Sequence, residues 1–559
     1  MLNAVAASGG ALIDELTAYG RFAWGLRDFL SQRTTPEQAR AMVRQRLAER
    51  ELNFLRMLER GVYGHPGSPY LPLLKLAGCE LGDLRNLVRA RGLEGTLRAL
   101  REAGVYVSFE EFKGRTPMVR NGAVFVVQPR DFDNPFLGAA YYSESGGTSG
   151  AGTRVTIELD HLAATAVHRL LGYEAHGVLH APLALWRGGF PDGSGIANVL
   201  QGARIGNTPH AWFSPLSQRA SQPDFKHRLA TRLLVVLGRT YGAPIPWPRA
   251  VGVEQADVVA RWAAVAVRRH GRCLIRAHVS LALRVCLAAR QAGQDLRGVT
   301  FISGGEPPTP AKVREIVRSG AHWVPWYAFT EAGIVGMGCA RPIGYNDLHL
   351  CTDGLALIQY PQAVAGTDAT VPGFCFTSLL PTAPKLLLNV QSDDYGIVET
   401  RQCGCPLEHD GFTTHVRDVR SYSKLTGEGV TLVGSDMLRI LDEVLPARFG
   451  GSALDYQLVE EEDDTGFTRL VLAVNPRLDI ADEAEIVPTV LDVLTQSSGA
   501  AALASAAWRE AGTLRIARRA PVWTDRGKLM PLHLTARTSR STRHLPAQSA
   551  PEAASRSVE

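Results

Sequence analysis

The stretch from Ser143 to Arg154 reads Ser-Glu-Ser-Gly-Gly-Thr-Ser-Gly-Ala-Gly-Thr-Arg. Glycines let successive backbone N–H groups turn inward as an anion nest, and Ser145, Thr148 and Ser149 add hydroxyl donors. That combination suits phosphate oxygens, although a Gly/Ser-rich stretch is most often only a turn. Gly147 and Gly152 have the spacing of a Walker loop, but Thr153 and Arg154 stand where Lys and Ser/Thr are needed. A Walker loop also feeds straight into a helix. Here residues 153–159 alternate as a strand does, and a helix is expected only afterwards, with Asp160 as its N-cap. The loop therefore joins two strands.

A second candidate is a set of soft donors. Cys403-Gly404-Cys405-Pro406 lies on a turn, with Cys339 and His349 upstream. Thiolates and an imidazole in a set of four suit tetrahedral Zn²⁺, and Cys351 or His409 are alternatives for one position. Cys-x-Cys is tighter than the usual Cys-x-x-Cys, so scattered buried cysteines are the competing reading. His176 and His180 form an i, i+4 pair, but no Glu follows the first and Gly177 weakens a helix there. A pocket wall or core packing is expected for them. Trp186 and Trp212 are candidates for an acyl or aryl pocket, against the commoner role of core filling.

The elements that must position these groups follow from periodicity. Residues 36–60 and 84–100 read as helices, the second weakened by Gly92 and Gly95. Between about 105 and 400, short β-rich runs at 123–128, 233–237 and 299–303 alternate with helical stretches at 160–171 and 310–319. That is the pattern of α/β layers. Beyond about 415 the texture changes, with a strand at 467–474 and a helix at 482–494. The expected layout is a helical N-terminal layer (1–105), a large multilayer α/β core (106–418), a small mobile α+β C-terminal domain (419–537) and a disordered tail (538–559).

The 559 residues are 45% hydrophobic and 21% charged, the balance of a globular chain with large cores. A net charge of +5 over this length gives no argument for nucleic acid. No membrane span is expected, because no run of about 18 uncharged apolar residues occurs. The first residues lack a basic n-region, and Asp14 and Glu15 interrupt their apolar run, so no secretion signal is read. Eight cysteines in a chain this long are not a disulfide framework, and a cytoplasmic location is expected.

In chain order, a series of motifs resembles those of the adenylate-forming enzymes, in the branch of phenylacetate–coenzyme A ligases and acyl-protein synthetases. The loop is similar to their Ser-Ser-Gly-Thr-Thr-Gly-x-Pro phosphate loop. Ser145, Gly147, Thr148, Ser149 and Gly150 fall on the pattern, with Gly152 in place of proline. Gly304-Gly305-Glu306-Pro307 resembles the Gly-Ala-Glu-Pro turn beside the adenine pocket. Tyr327, Thr330 and Glu331 match Tyr-Gly-x-Thr-Glu, with Ala328 for glycine. Asp394, with Asp393 as the alternative register, falls where the family has Tyr-Arg-Thr-Gly-Asp, without the arginine. Arg420 matches the arginine that reaches the nucleotide, and Tyr422 or Ser423 occupies the hinge position, usually Asp or Lys. Gly527-Lys528 resembles the Gly-Lys that ends the small domain. Residues 112–117 also resemble acyl-protein synthetases.

The resemblance implies the roles. The loop holds the β- and γ-phosphates, the Tyr327 ring covers adenine, Thr330 reaches the α-phosphate and Glu331 is a hard ligand for Mg²⁺. Asp394 grips the ribose, and Lys528 stabilises charge at the reacting carboxylate. The implied activity is ATP-dependent, AMP-forming activation of a small carboxylic acid, followed by transfer to a thiol. The acceptor stays open between coenzyme A and the phosphopantetheine of a carrier protein. No cysteine follows Cys405, which argues against self-acylation. Cys339, His349, Cys403 and Cys405 match family positions for a metal, structural because they flank the site. The alternatives are a zinc-stabilised homologue that has lost catalysis and, third, a phosphate-loop NTPase.

Overall fold

The computed structural model describes residues 20, 22–138, 141–144, 154–190, 193–215, 225–363, 370–421, 426–427, 430–431, 435–462, 468–497, 514–524 and 527–534. The phosphate-loop candidates Ser145, Gly147, Thr148, Ser149 and Gly150 lie outside them, as do the hinge candidates Tyr422 and Ser423 and the tail 538–559.

Twelve strands form the main sheet. In chain order they are β1 Leu183–Trp186, β2 Ala211–Ser214, β3 Pro248–Ala250, β4 Cys273–Ala277, β5 Val299–Gly304 and β6 His322–Phe329, then β7 Gly333–Gly338, β8 Asp347–Leu350, β9 Leu355–Ala363, β10 Thr370–Ser378, β11 Val390–Thr400 and β12 Thr414–Ser421. Across the sheet the order is β9-β10-β11-β12-β8-β7-β6-β5-β4-β1-β2-β3. From β6 to β3 neighbours are parallel. From β6 to β9 they are antiparallel. Strands β1, β4 and β5 are buried at every residue, which requires near-continuous apolar sequence.

Helices alternate with these strands, among them α1 Leu159–Ala175, α2 Ser194–Arg204 and α3 Val279–Gln291. The chain leaves β1 through α2 towards β2 and β3, then returns to lay β4 and β5 on the other side of β1. The winding thus reverses between β1 and β4. In open α/β sheets ligands bind at such a switch point, outside the carboxyl ends of the strands.

Tyr141–Glu144 pairs antiparallel with Arg154–Ile157, so residues 145–153 do connect two strands. The N-cap of helix α1 lies two residues earlier than expected, at Glu158 instead of Asp160. Asp160 sits in the first turn, where a carboxylate complements the helix dipole. The run at 233–237, read as a strand, lies inside helix Phe225–Thr240. Thr231, Leu234 and Val235 are buried there while Leu229, Leu233 and Val236 are exposed, a helical spacing that the short apolar run concealed. Of 123–128, only Ala123–Phe125 is strand.

The N-terminal helices Arg50–Leu58 and Leu81–Glu102 share one apolar core with β9 and β10, through Phe54, Leu97 and Leu100 against Leu357, Phe374 and Phe376. Gly92, at φ 67°, kinks the second of them. The C-terminal part is a four-stranded sheet of β13 Tyr456–Glu462, β14 Thr468–Val474, β15 Leu514–Arg518 and β16 Leu532–Leu534, ordered β15-β14-β13-β16. Helix Ile486–Ser497 packs on it through Val490 and Leu494. Among the described residues no helix is long and apolar enough to cross a membrane.

One buried side chain ties the helical layer to the sheet. Asn389 adopts φ 48°, and its amide donates to the carbonyls of Leu97 at 2.8 Å and Val105 at 3.1 Å. Asn389→Ala removes both of these buried hydrogen bonds and puts a Cβ-only residue in a left-handed conformation. We expect a loss of about 2–3 kcal/mol, read as a lower Tm with unchanged far-UV dichroism; an unaltered Tm would show that this tie contributes nothing.

Candidate functional site

The site is assembled from strand ends. β5 finishes at Gly304, where an added Cβ would lie 1.8 Å from the Trp326 carbonyl oxygen, so β5 and β6 pair this closely only with glycine. Gly305 comes next at φ +86°, and a Cβ on it would meet His278 Nδ1 at 2.9 Å and Lys528 Cε at 3.5 Å. Glu306 turns back onto the first turn of α3. Its carboxylate accepts from the Ser280 backbone N–H at 2.6 Å and hydroxyl at 2.8 Å, so it fixes the turn.

β6 delivers Tyr327, and the turn into β7 carries Thr330 and Glu331. The Tyr327 hydroxyl donates to Asp394 Oδ2 at 2.6 Å. Burial, reinforced by that carboxylate, pushes the phenol well above its usual range. Asp393 accepts from the Ser421 hydroxyl at 2.8 Å, which leaves Asp394 as the carboxylate joined to the tyrosine. Arg420, cross-strand from Tyr395, sits near the Tyr395 and Tyr345 phenols.

All the described nucleotide-site and catalytic candidates line one cavity of about 440 Å³. Gly304, Gly305, Glu306 and Tyr327 are on its wall, with Thr330, Glu331, Asp394, Arg420 and Lys528. Lys528 reaches it from the far end of the chain. Its turn is closed by hydrogen bonds between Thr524 and Lys528 and pressed on α3, where a Cβ on Gly527 would meet Leu281 at 2.9 Å. Arg284 of α3 stacks 4.1 Å over the Trp523 ring, and Leu529 joins the core of the large sheet.

Several lining residues carry no motif. Lys113 donates to Glu331 Oε1 at 2.8 Å and holds that 5%-exposed carboxylate in the cavity wall. Arg187 and His278 directly follow β1 and β4, at the switch point. Arg276 interrupts the otherwise apolar β4. A charge inside or just beyond a fully buried strand was the available signal for these three. For Lys113 it was only the similarity of residues 112–117. Trp186 and Trp212 are core residues, their indoles donating to the carbonyls of Val251 and Arg187. His176 bonds the Gly338 carbonyl and neighbours His322. In the cavity the tryptophan is Trp326.

The soft donors converge elsewhere. One donor atom from each of Cys339, His349, Cys403 and Cys405 lies within 4.8 Å of the others. His349 Nε2 is 3.1 Å from the Cys405 sulfur and 3.6 Å from that of Cys403. Its Nδ1 meets the Phe412 carbonyl at 2.6 Å, which keeps the proton on Nδ1 and leaves the Nε2 lone pair facing the sulfurs. Hydrogen bonds from Cys339 and then His349 hold the Cys405 thiol far below its usual range. Cys351 and His409, the alternatives, are outside this quartet. None of the four lines the cavity. His349 pairs with His415 on β12, and from His415 to Arg420 the strand covers about 16 Å. Donor chemistry and tautomer both fit a tetrahedral metal.

No family model matches the sequence, and no curated protein matches it. Solved structures do. A 2-hydroxyisobutyryl-CoA ligase, in its postadenylation state with 2-HIB-AMP, aligns over 89% of this chain and 89% of its own, with TM-score 0.51 and 12% identity. The same ligase with R3-HIB-AMP gives TM-score 0.50 over the same shares, also at 12% identity. The likeness is one of architecture, a large mixed sheet and then a small α+β part. The fold of this chain is that of the adenylate-forming acid–CoA ligases.

Proposed function

We propose that the protein is an ATP-dependent, AMP-forming ligase that converts a small carboxylic acid to its acyl-adenylate and passes the acyl group to a thiol. One observation carries this reading. Residues scattered from Gly304 to Lys528, each read separately as part of a nucleotide site, border a single cavity. Unrelated surface motifs have no reason to meet.

In the first step an oxygen of the acid attacks the α-phosphorus of ATP, and the bond to the β-phosphate oxygen breaks to release pyrophosphate. Catalysis is mainly positioning and charge stabilisation. The Tyr327 ring would lie against adenine, with Asp394 accepting from the ribose hydroxyls and Arg420 close by. Thr330 would donate to the α-phosphate. Ser145, Gly147, Thr148, Ser149 and Gly150 are assigned to the β- and γ-phosphates. Lys528 brings an ammonium to the junction of carboxylate and α-phosphate, where negative charge grows. Glu331, oriented by Lys113, would hold Mg²⁺, which neutralises phosphate charge when bound. In the second step a thiol, of coenzyme A or a carrier-protein phosphopantetheine, attacks the acyl carbon and AMP departs. Cys339, His349, Cys403 and Cys405 would hold a structural Zn²⁺ that ties together the turns after β7 and β11 and strand β8.

Lys528→Ala is expected to cut acid-dependent AMP formation by about 10²–10³-fold while leaving Tm nearly unchanged. Retained activity would remove Lys528 from the chemistry. Product analysis also separates the competing classes: the proposal requires AMP and pyrophosphate, an NTPase gives ADP, and a homologue without catalysis gives neither. For the metal, we expect one zinc per chain by elemental analysis. Cys405→Ser should lose it and lower Tm by roughly 5–10 °C; full stability without zinc would contradict the assignment.

A further inference from the structure

Beyond Gly304 the cavity runs between α1, α2 and the ends of β1 and β4, and its floor there is made of arginines. Arg276 is 3% exposed, with its guanidinium 4.7 Å over the Trp326 ring. Its Nε and Nη1 are buried without a hydrogen-bond partner. Among the described residues, the charged and phenolic groups that act on it are Tyr173, Arg169 and Arg187, with no carboxylate among them. Burial above all, and the two neighbouring guanidiniums, bring its pKa down to about 9, so it is still charged at neutral pH. Arg169, also 3% exposed, bonds only neutral groups: the amide oxygens of Gln201 and Asn198 and the hydroxyl of Tyr173. Arg187 donates to the His278 ring and to the carbonyls of Ala277 and Gly304.

Desolvated like charges without an anion are costly, and a fold keeps them where a ligand relieves the cost. Lys528 and Gly305 mark the reacting end of the cavity, since the lysine's Cε lies 3.5 Å from a Cβ placed on Gly305. Arg276 belongs to a different neighbourhood, that of Trp326 and α1, where a Cβ on Gly172 would touch the Trp326 ring at 3.0 Å. Thr165, Ser194, Asn198 and Gln201 line the same region, so a long alkyl chain would bury polar groups against methylenes.

We propose that the acid activated here carries a second anionic group, a carboxylate, sulfonate or phosphate away from the reacting carboxylate, and that Arg276 and Arg169 receive it. The planar guanidinium fork matches such oxyanions in bidentate fashion. This substrate class rests on the adenylation reading, and the test separates the two.

The probes are glutarate, adipate, isophthalate, 3-sulfobenzoate and 3-phosphonobenzoate, each compared with the analogue in which the second anion is replaced by a methyl or amide group. Binding is measured by calorimetry without ATP, and pyrophosphate release with ATP. At least one doubly anionic acid should bind, and react, about tenfold or more better than its analogue. Arg276→Met should erase that preference and raise Tm, because a buried unpaired charge is removed, while Arg276→Lys should keep part of the preference. Equal use of both acids of every pair overturns the proposal. So does an Arg276→Met enzyme that binds ATP more weakly but keeps its preference. Arg276-dependent binding of a diacid with no pyrophosphate from any acid would sink the adenylation reading and leave the anion site standing. Absence of both binding and reaction overturns both.

Discussion

At Gly304 an added methyl group would stand 1.8 Å from the Trp326 carbonyl oxygen, so two parallel strands pair to their ends there only because one residue has no side chain. The layout of the cavity rim depends on that closeness. From β5 it sends Gly305 and Glu306 to the rim, and from β6 it sends Tyr327, Thr330 and Glu331. Next door the winding reverses between β1 and β4, and Arg187 and His278, which directly follow those strands, line the cavity there, His278 also capping α3. The His278 ring bonds the Gly304 carbonyl at 3.0 Å and Arg187 Nη1 at 3.2 Å, which locks these strand ends together. A site spread over more than two hundred residues of sequence becomes compact through backbone geometry, before any ligand contributes.

The antiparallel half works as a set of levers with two ends. Near the cavity it offers Glu331 before β7, Asp394 on β11 and Arg420 on β12. Away from it the connected elements carry Cys339, His349, Cys403 and Cys405. A metal held there, as proposed, would clamp the far ends and limit how the near ends slide. The N-terminal helical layer acts on the same elements from one face. It fills the core against β9 and β10, and the segment after it delivers Lys113 to Glu331. Breaking so buried an ion pair from one side costs on the order of 3 kcal/mol, enough to matter for where Glu331 points. The first hundred residues hold no catalytic candidate, and the segment that follows them fixes the position of one.

Much of this was legible in the sequence, and the reason is local. Buried parallel strands need continuous apolar runs, so 299–303 declared itself. A glycine-rich turn flanked by alternating residues had to join strands. The family resemblance pointed to Cys339, His349, Cys403 and Cys405, with Cys351 and His409 left open by their identical donor chemistry until the fold placed them outside the quartet. The rest was illegible because it depends on pairing between distant segments. The run at 233–237 is apolar in either a strand or a helix, and only its neighbours at three- and four-residue spacing decide. Lys113 means nothing until Glu331 faces it. Arg276 reads as an oddity in an apolar strand, and only the fold reveals that Arg169 and Arg187 lie beside it while its own Nε and Nη1 find no hydrogen-bond partner. Trp186 and Trp212 were the tryptophans to suspect on sequence, but strand register sends them into the core and turns Trp326 to the cavity.

Reversible formation of an acyl-adenylate, in the cavity between the large sheet and the Lys528 turn, is the step on which the proposed activity stands. Exchange of radiolabel from pyrophosphate into ATP measures that step without the thiol. The expected result is exchange that requires a carboxylic acid, requires no coenzyme A, and is lost when the acid is omitted. Failure of every acid in a broad panel to support exchange, in protein that binds ATP, would contradict it.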